Sequence, residues 1–115
     1  MPASGGPDAF GYEFIDSDSP GGPSFQWFDI SSLGTPLNLA DDSFATVSLP
    51  FAFSFYGAMK NSVVISNNGY LTFGSDGEDR NNDDIPDPNS PNDIIAPFWD
   101  NLQSPGGTVY HYYDS

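Results

Sequence analysis

A tight-turn signal in the middle of the chain places the strongest constraint on its fold. Asn68-Gly69 stands between two runs that are rich in β-branched and aromatic residues, Val63 to Ile65 and Tyr70 to Phe73. Asn-Gly is the pair that best tolerates the positive φ angles of a tight hairpin turn. The pattern therefore predicts an antiparallel β-hairpin at this point of the chain.

Apolar residues recur at every second position in further segments, as they do in half-buried strands. The clearest case is Ala45 to Phe55, in which Pro50 predicts a break, a bulge or an edge position. No amphipathic helix of useful length is visible. The other predicted strands are Phe10 to Asp16, Phe25 to Ile30, Thr35 to Leu39, Ile94 to Trp99 and Thr108 to Tyr113. Short strands at regular spacing with Gly/Pro turns predict an all-β, antiparallel β-sandwich.

The net charge of the chain limits the classes of partner that it can bind. Sixteen acidic residues against two basic ones, Lys60 and Arg80, give a formal net charge of −14. Phosphate backbones and anionic lipids would repel such a chain, so we expect no nucleic-acid partner and no direct membrane insertion. The negative charge is compatible with cationic partners, metal ions above all. The alternative is that the charge only keeps the protein soluble. Cysteine is absent, which excludes disulfides and cysteine-ligated zinc.

The length of 115 residues suits one domain. We expect residues 1–9 to form a flexible N-terminal segment and residues 10–115 to form a single β domain. No run approaches the roughly 20 apolar residues of a membrane-spanning helix. The N-terminus also lacks the basic and apolar regions of a signal peptide, so any export signal is expected upstream or already removed.

Three stretches resemble the nidogen-like (NIDO) extracellular domain: VVISNNGYLTFG, then IIAPFWDNL, then GGTVYHYY. Their order and approximate spacing match that domain over residues 62–113, and IAPFWD is the distinctive part. Upstream, GYEFIDSDSPGGP and LPFAFSFYG resemble the form of the module in large, modular secreted or cell-surface proteins of bacteria.

The resemblance implies a nidogen-like sandwich, an extracellular or cell-surface location and a non-catalytic role in adhesion or assembly. The family has no shared catalytic residues to transfer to this chain. The implied partner is an extracellular protein or glycan, or further domains or subunits of the same assembly. Such modules continue past their VYY strand, so we expect a fragment whose C-terminal strands are missing or supplied by another chain.

Short carboxylate clusters beside Gly/Pro turns form the first candidate site. Calcium takes about six to eight oxygen ligands, mostly carboxylate, amide and carbonyl. Asp16 and Asp18 lie two residues apart, Asp41 and Asp42 offer a second pair, and Asp100 offers a fifth carboxylate. We therefore expect a stabilising calcium ion between these loops at one end of the sandwich. The alternative is that each aspartate caps a turn by accepting hydrogen bonds from backbone amides.

The second candidate is the acidic loop, by which we mean residues 75–93. Asp79, Asn81 and Asp83 fall at alternate positions, as the first ligands of a helix-loop-helix calcium loop do. Asp84 and Pro91 stand where that motif requires glycine and glutamate. The pattern therefore favours a solvated connection or a contact surface over a metal site.

Catalysis finds less support in the sequence. A serine triad needs a histidine, and the single histidine, His111, lies in an aromatic strand with no Gly-x-Ser-x-Gly turn elsewhere. A carboxylate pair for glycoside hydrolysis stays open, because acidic residues are plentiful and their separation in space is unknown. A sandwich of this size offers little room for a substrate cleft, so we expect no enzyme.

Exposed aromatic rings would support an alternative function, a carbohydrate-binding module attached to a secreted hydrolase or protease. Trp27, Tyr56, Tyr110 and Tyr112 are the rings considered for stacking on sugars. Most rings, Trp99 among them, are instead expected in the core, because leucine and isoleucine are few.

Overall fold

The protein is described here by a computed structural model for residues 1–103 and 106–115, in which eight short strands form three antiparallel sheets. The strands are β1 (Ser4–Gly5), β2 (Phe14–Ile15), β3 (Thr35–Leu37), β4 (Phe44–Phe55), β5 (Ala58–Ser66), β6 (Leu71–Thr72), β7 (Ile94–Ile95) and β8 (Val109–His111). No helix occurs in those residues, and the predicted all-β class with antiparallel pairing is confirmed.

The largest sheet has four strands in the order β4-β5-β6-β7. The two-stranded sheets pair β1 with β2 and β3 with β8. β1 lies within residues 1–9 and joins that segment to Phe14–Ile15. A cleft of about 460 Å³ is lined by Val47 and Val63 of the large sheet and by Thr35 and His111 of the β3-β8 sheet. The arrangement is sandwich-like, with the second layer made of only two strands.

The predicted hairpin is present as β5 and β6, with Val64 opposite Thr72 and Ile65 opposite Leu71. Its loop is one residue longer than a two-residue turn, because the N–H of Ser66 donates to the carbonyl of Tyr70 at 3.0 Å. The positive φ falls on Gly69, at 82°. This is the geometry of a three-residue hairpin loop that closes with a left-handed residue.

A two-residue loop joins β4 to β5. Tyr56 and Gly57 form this loop with φ angles of 45° and 76°, so both central residues are left-handed, as in a type I′ turn. Pro50 lies in β4 where the register shifts between Ser48 and Phe53. β4 is also an edge strand of its sheet, so the predicted bulge and edge position are both found.

The two faces of the large sheet are covered differently. Val64 and Thr72 share one face because they lie opposite each other in the ladder, and both are buried. The acidic loop lies over this face, where the hydroxyl of Thr72 donates to the carbonyl of Asn92 at 2.8 Å. Val63 points to the other face, toward the β3-β8 sheet. The buried apolar residues are Val63, Val64, Tyr70 and Trp99, so the core centres on the hairpin and the IAPFW block.

Four predicted strands are longer than the observed ones, and a fifth is absent. Thr35 to Leu39 is a strand only at Thr35–Leu37, and Thr108 to Tyr113 only at Val109–His111. The segment Phe10 to Asp16 is a strand only at Phe14–Ile15, and Ile94 to Trp99 only at Ile94–Ile95. The segment Phe25 to Ile30 forms no strand. Its aromatic composition suits a strand, but no neighbouring strand of the described chain lies alongside it, and backbone pairing is what completes a strand.

The expectation that most aromatic rings pack in the core is also wrong. Trp99 is buried as expected, but Phe25, Trp27 and Phe98 are 81%, 79% and 68% exposed. One large sheet with a loop on one side and two strands on the other offers too little interior for all the rings.

We predict that Gly69→Ala lowers the free energy of unfolding by at least about 1–3 kcal/mol, which is the cost of placing a residue with a side chain in the left-handed region. A Cβ there would also lie 2.0 Å from the carbonyl oxygen of Phe98. Urea denaturation measures the change. Gly107→Ala is the matched control, because a Cβ at Gly107 meets nothing within 4 Å, and equal effects of the two substitutions would contradict the prediction.

Candidate functional site

The buried side chain of Asn68 joins four segments of the chain. Its Nδ2 donates to Asp42 Oδ1 at 3.1 Å and to the carbonyl of Asp79 at 3.3 Å. Its Oδ1 accepts the N–H of Leu102 at 3.1 Å, and its backbone carbonyl accepts the N–H of Asp100 at 3.1 Å. Asn68 is fully buried, at 0% exposure. A side chain with both donors and its acceptor satisfied in the interior fixes these segments relative to one another.

The hairpin holds the first half of the acidic loop through two further buried side chains. The Tyr70 hydroxyl donates to the carbonyl of Asp76 and accepts the N–H of Asp79, each at 3.1 Å. The Trp99 indole N–H donates to the same carbonyl of Asp79 at 3.2 Å. The Tyr70 and Trp99 rings lie 5.2 Å apart, and burial raises the pKa of the Tyr70 hydroxyl. The loop is thus fastened to the core at its start.

The end of the acidic loop is fastened as well. The N–H of Phe73 donates to the carbonyl of Asp93 at 3.0 Å. The Lys60 ammonium pairs with the Asp93 carboxylate at 3.2 Å and lies 5.8 Å from the centre of the Phe73 ring. Both basic side chains of the protein are therefore used to hold acidic residues, since Arg80 pairs with Asp42 at 3.0 Å.

A pocket of about 290 Å³ lies between the second half of the acidic loop and the aromatic side chains beneath it. Phe55, Tyr56 and Trp99 contribute aromatic surface, and residues 83–87 and 89–93 of the loop, with Ile94 of β7, form the rest of the lining. The loop side contains four aspartates, Asp83, Asp84, Asp87 and Asp93. A cavity with an apolar wall and carboxylates opposite suits small cationic groups in chemical terms.

Tyr56 is held by the N-terminal segment, a contact that sequence reasoning missed. Its hydroxyl donates to Asp8 Oδ2 at 2.9 Å, and its N–H donates to the Tyr12 hydroxyl at 3.3 Å. The ring lies 4.7 Å from that of Tyr12 and 5.4 Å from that of Phe10. These contacts compensate for a non-glycine residue in the left-handed region. The only local signal was the Tyr-Gly pair at the end of an alternating strand.

Asp8 organises the segment from which those rings come. Its Oδ1 accepts the backbone N–H groups of Phe10, Gly11 and Tyr12 at 2.8–2.9 Å. The Tyr12 N–H contributes most to lowering the pKa of this carboxyl, and the Tyr56 hydroxyl and the other two N–H groups lower it further. The aspartate thus acts as a local turn cap that also reaches the β4-β5 turn.

The five aspartates predicted to bind calcium lie in three separate settings. Asp16 accepts the N–H of Ala3 at 2.7 Å and the Ser19 hydroxyl at 2.8 Å, and Asp18 pairs with the N-terminal ammonium at 3.1 Å. Asp42 binds Asn68 and Arg80, and its neighbour Asp41 is exposed. Asp100 accepts the N–H of Asn101 at 2.8 Å.

Two of these contacts, from the N–H of Ala3 to Asp16 and from the N–H of Asn101 to Asp100, are of the kind named above as the alternative, in which an aspartate accepts a backbone N–H. The remaining contacts are to side chains or to the N-terminal ammonium. Within residues 1–103 and 106–115, no three Asp, Glu or His side chains form a group that could hold a metal ion. The acidic loop shows the same capping, with Asp79 Oδ1 accepting the N–H of Asn81 at 2.9 Å and Asp87 Oδ1 accepting that of Asn89 at 2.6 Å. The calcium site stays a prediction of the sequence.

The four rings considered for sugar binding differ in exposure. Trp27 is 79% exposed, Tyr56 49% and Tyr112 43%, while Tyr110 is half-buried in β8. His111 is half-buried in the same strand and lies opposite Thr35 of β3. The exposed rings thus sit on three different elements: the segment before β3, the β4-β5 turn and the end of β8.

Comparison with known proteins gives one match. A family model described as NIDO related matches residues 23–113, which is most of the chain. No curated protein and no solved structure matches it. Among the residues that the structure describes, there is also no helix long and apolar enough to cross a membrane.

We predict that Asn68→Asp destabilises the protein by about 3–5 kcal/mol, because the substitution keeps the shape of the side chain but places a buried carboxylate against Asp42 and the Asp79 carbonyl. Urea denaturation at neutral pH is the measurement. Asn61→Asp introduces the same charge at an exposed position of β5 and is the matched control. A loss shared equally by both variants would show that added charge, and not the Asn68 amide, is responsible.

Asp42 should make the stability of the protein depend on pH. The Asn68 amide, and then Arg80, hold the pKa of the Asp42 carboxyl below its ordinary value of 3.8. A lowered pKa in the folded state means that the stabilisation is present above 3.8 and is lost as the pH falls through the folded value. The stability difference between the protein and its Asp42→Asn variant should therefore shrink between about pH 5 and pH 2. A difference that stays constant over this range would contradict the assignment.

Proposed function

Because the chain belongs to the NIDO-related family, whose domains are typically extracellular modules, we propose that it is a non-catalytic adhesion or assembly module of a secreted or cell-surface protein. Its partner in this proposal is another extracellular polypeptide. The proposal concerns the chain as a binding module and assigns it no reaction.

The observation that carries the proposal is the amount of aromatic surface left in solvent. Within the described residues, four apolar side chains are buried, whereas the exposed large apolar side chains include Phe10, Phe14, Phe25, Trp27, Phe28, Phe51 and Phe98. Single exposed apolar residues are ordinary, but clustered ones mark interaction surfaces. Phe28 and Tyr112 lie 6.3 Å apart, and Phe51 and Tyr113 lie 5.9 Å apart, so exposed rings do adjoin one another.

Polypeptide recognition agrees with the chemistry of these rings. Most of them are phenylalanines, which offer apolar area without a polar group for the hydroxyls of a sugar. Aromatic residues are also enriched at the centres of protein interfaces. The net charge of −14 favours a partner with basic residues around the apolar contact.

A carbohydrate-binding role is the second candidate, and the exposure of Trp27, Tyr56 and Tyr112 favours it. These rings carry an indole N–H or a hydroxyl beside an apolar face, which is the combination that a sugar surface can use. The two candidates differ in the class of ligand and can be separated in one experiment.

We predict binding to extracellular-matrix polypeptides on an array and no binding on a glycan array. The bound signal should persist in about 0.5 M NaCl, because contacts between apolar groups are not screened as charges are. Replacing Phe25, Trp27 and Phe28 together by serine should abolish the binding with little loss of stability, since this exposed segment forms no strand.

Gln26→Ser changes the same segment but keeps its rings, and it is the control. Binding to glycans alone would favour the second candidate. Binding to neither array, or binding that vanishes in salt and ignores the triple substitution, would contradict the assembly module.

A further inference from the structure

The outer edge of β4 is open over most of its length. β4 is the longest strand, with 12 residues, and it stands at one end of the sheet order. Between Ala45 and Phe55, no hydrogen bond from the described part of the chain reaches its backbone except those from β5. The strand contains no charged residue. Long, uncharged edges of this kind are templates for pairing with another strand.

The direction of the free backbone groups follows from the pairing with β5. The N–H of Asn67 donates to the carbonyl of Ser43, and hydrogen-bonded pairs alternate along an antiparallel ladder. Ala45 and Val47 therefore turn their backbone groups toward β5. The N–H and C=O groups of Phe44, Thr46 and Ser48 turn outward, into solvent. Pro50 and the register shift end this regular edge after Ser48.

An unpaired strand-like segment is present in the same chain. Phe25 to Ile30 has six residues with strand-forming composition, yet it forms no strand. Phe25, Trp27 and Phe28 are 81%, 79% and 65% exposed. Pro20, Gly21, Gly22 and Pro23 precede the segment and separate it from β2. Its length suits the regular part of the β4 edge.

We propose that two copies of the chain associate by adding the segment Phe25–Ile30 of each copy to the open β4 edge of the other. Reciprocal addition satisfies the outward backbone groups of Phe44 to Ser48 and forms a closed pair, as exchange of equivalent elements does. This inference rests on the assembly role proposed above and names its partner as a second copy.

The area available is sufficient for a stable pair. An aromatic side chain buries about 150–250 Å² when fully covered. Covering much of the exposed part of three rings in each copy, with the matching area on each β4, removes on the order of 1,000–1,500 Å² from solvent, which reaches the range of specific interfaces.

The net charge opposes this association, so the paired fraction should depend on the salt concentration. Each copy carries −14, so two copies repel each other, although β4 itself brings no charge to the contact. Raising the salt concentration from about 0.15 to 1 M shortens the screening length from about 8 to 3 Å. The paired fraction should therefore rise with salt, which is the opposite of an association driven by ion pairs.

Sedimentation equilibrium on the whole chain tests the proposal. Thr46→Pro removes only an outward N–H, so the fold is expected to survive, as checked by its melting temperature, while pairing weakens at least about tenfold. Thr46→Ser keeps the N–H and is the control. Should Thr46→Pro fail to fold, the triple serine substitution of Phe25, Trp27 and Phe28 takes its place, because that segment forms no strand.

The chain has no cysteine, so introduced cysteines report the contact directly. Mixing Gln26→Cys with Thr46→Cys should yield a disulfide between copies. A variant that carries both cysteines shows whether they meet within one chain, and a disulfide formed within that chain would overturn the proposal. An unsubstituted chain that stays monomeric at every salt concentration would overturn it too. So would a pair that survives Thr46→Pro. The array experiment separates the two ideas, because binding to matrix polypeptides by an unsubstituted chain that stays monomeric at every salt concentration overturns this inference alone.

Discussion

The hydrogen bonds of Asn68 are the constraint on which the rest of this structure depends. One buried amide fixes the turn before β4 through Asp42, the acidic loop through Asp79 and the segment after the IAPFW block through Leu102. The adjacent Gly69 lets the Phe98 carbonyl approach so closely that no side chain would fit. The β5-β6 loop thus connects distant segments of the chain, and the hydrogen bonds of Tyr70 and Trp99 also hold the acidic loop against this hairpin.

The acidic loop has a different meaning in the folded protein from the one its composition indicates. Its aspartates contribute backbone carbonyls and turn caps more than a ligand set, and its first and last residues cover the buried face of Val64 and Thr72. The acidic loop thus buries one face of the large sheet, while only the two-stranded β3-β8 sheet lies on the other side. A core made of one hairpin, one loop and a tryptophan leaves most of the remaining rings exposed.

Acidity and exposed aromatic surface therefore have to be considered together. A chain with this much apolar area in water would tend to associate without selection, and a charge of −14 opposes such contacts. β4 has no charged side chain along its length, so no charge on the strand itself opposes contact with another chain. The proposed pairing through β4 takes place against the repulsion between two negatively charged copies. Salt screens that repulsion, so the pairing should become stronger as salt is added.

Local sequence alone determined the features that are set by neighbouring residues. The alternation from Ala45 to Phe55, the irregularity at Pro50, the hairpin around Gly69 and the all-β class could be predicted, because side-chain period and turn chemistry act over a few residues. The burial of Trp99 was also predicted, because leucine and isoleucine are few and large rings have to fill the core.

Only the tertiary structure decided where long-range partners lie. The strand predicted for Phe25 to Ile30 has a strand-forming composition but no neighbour, and a strand needs backbone partners that its own sequence does not supply. The partners of Asp42 are 26 and 38 residues away along the chain, and Tyr56 meets Asp8 across 48 residues. Which carboxylates become turn caps, ion pairs or exposed charge is therefore fixed by how the loops meet, and the sequence specifies only that the carboxylates are there.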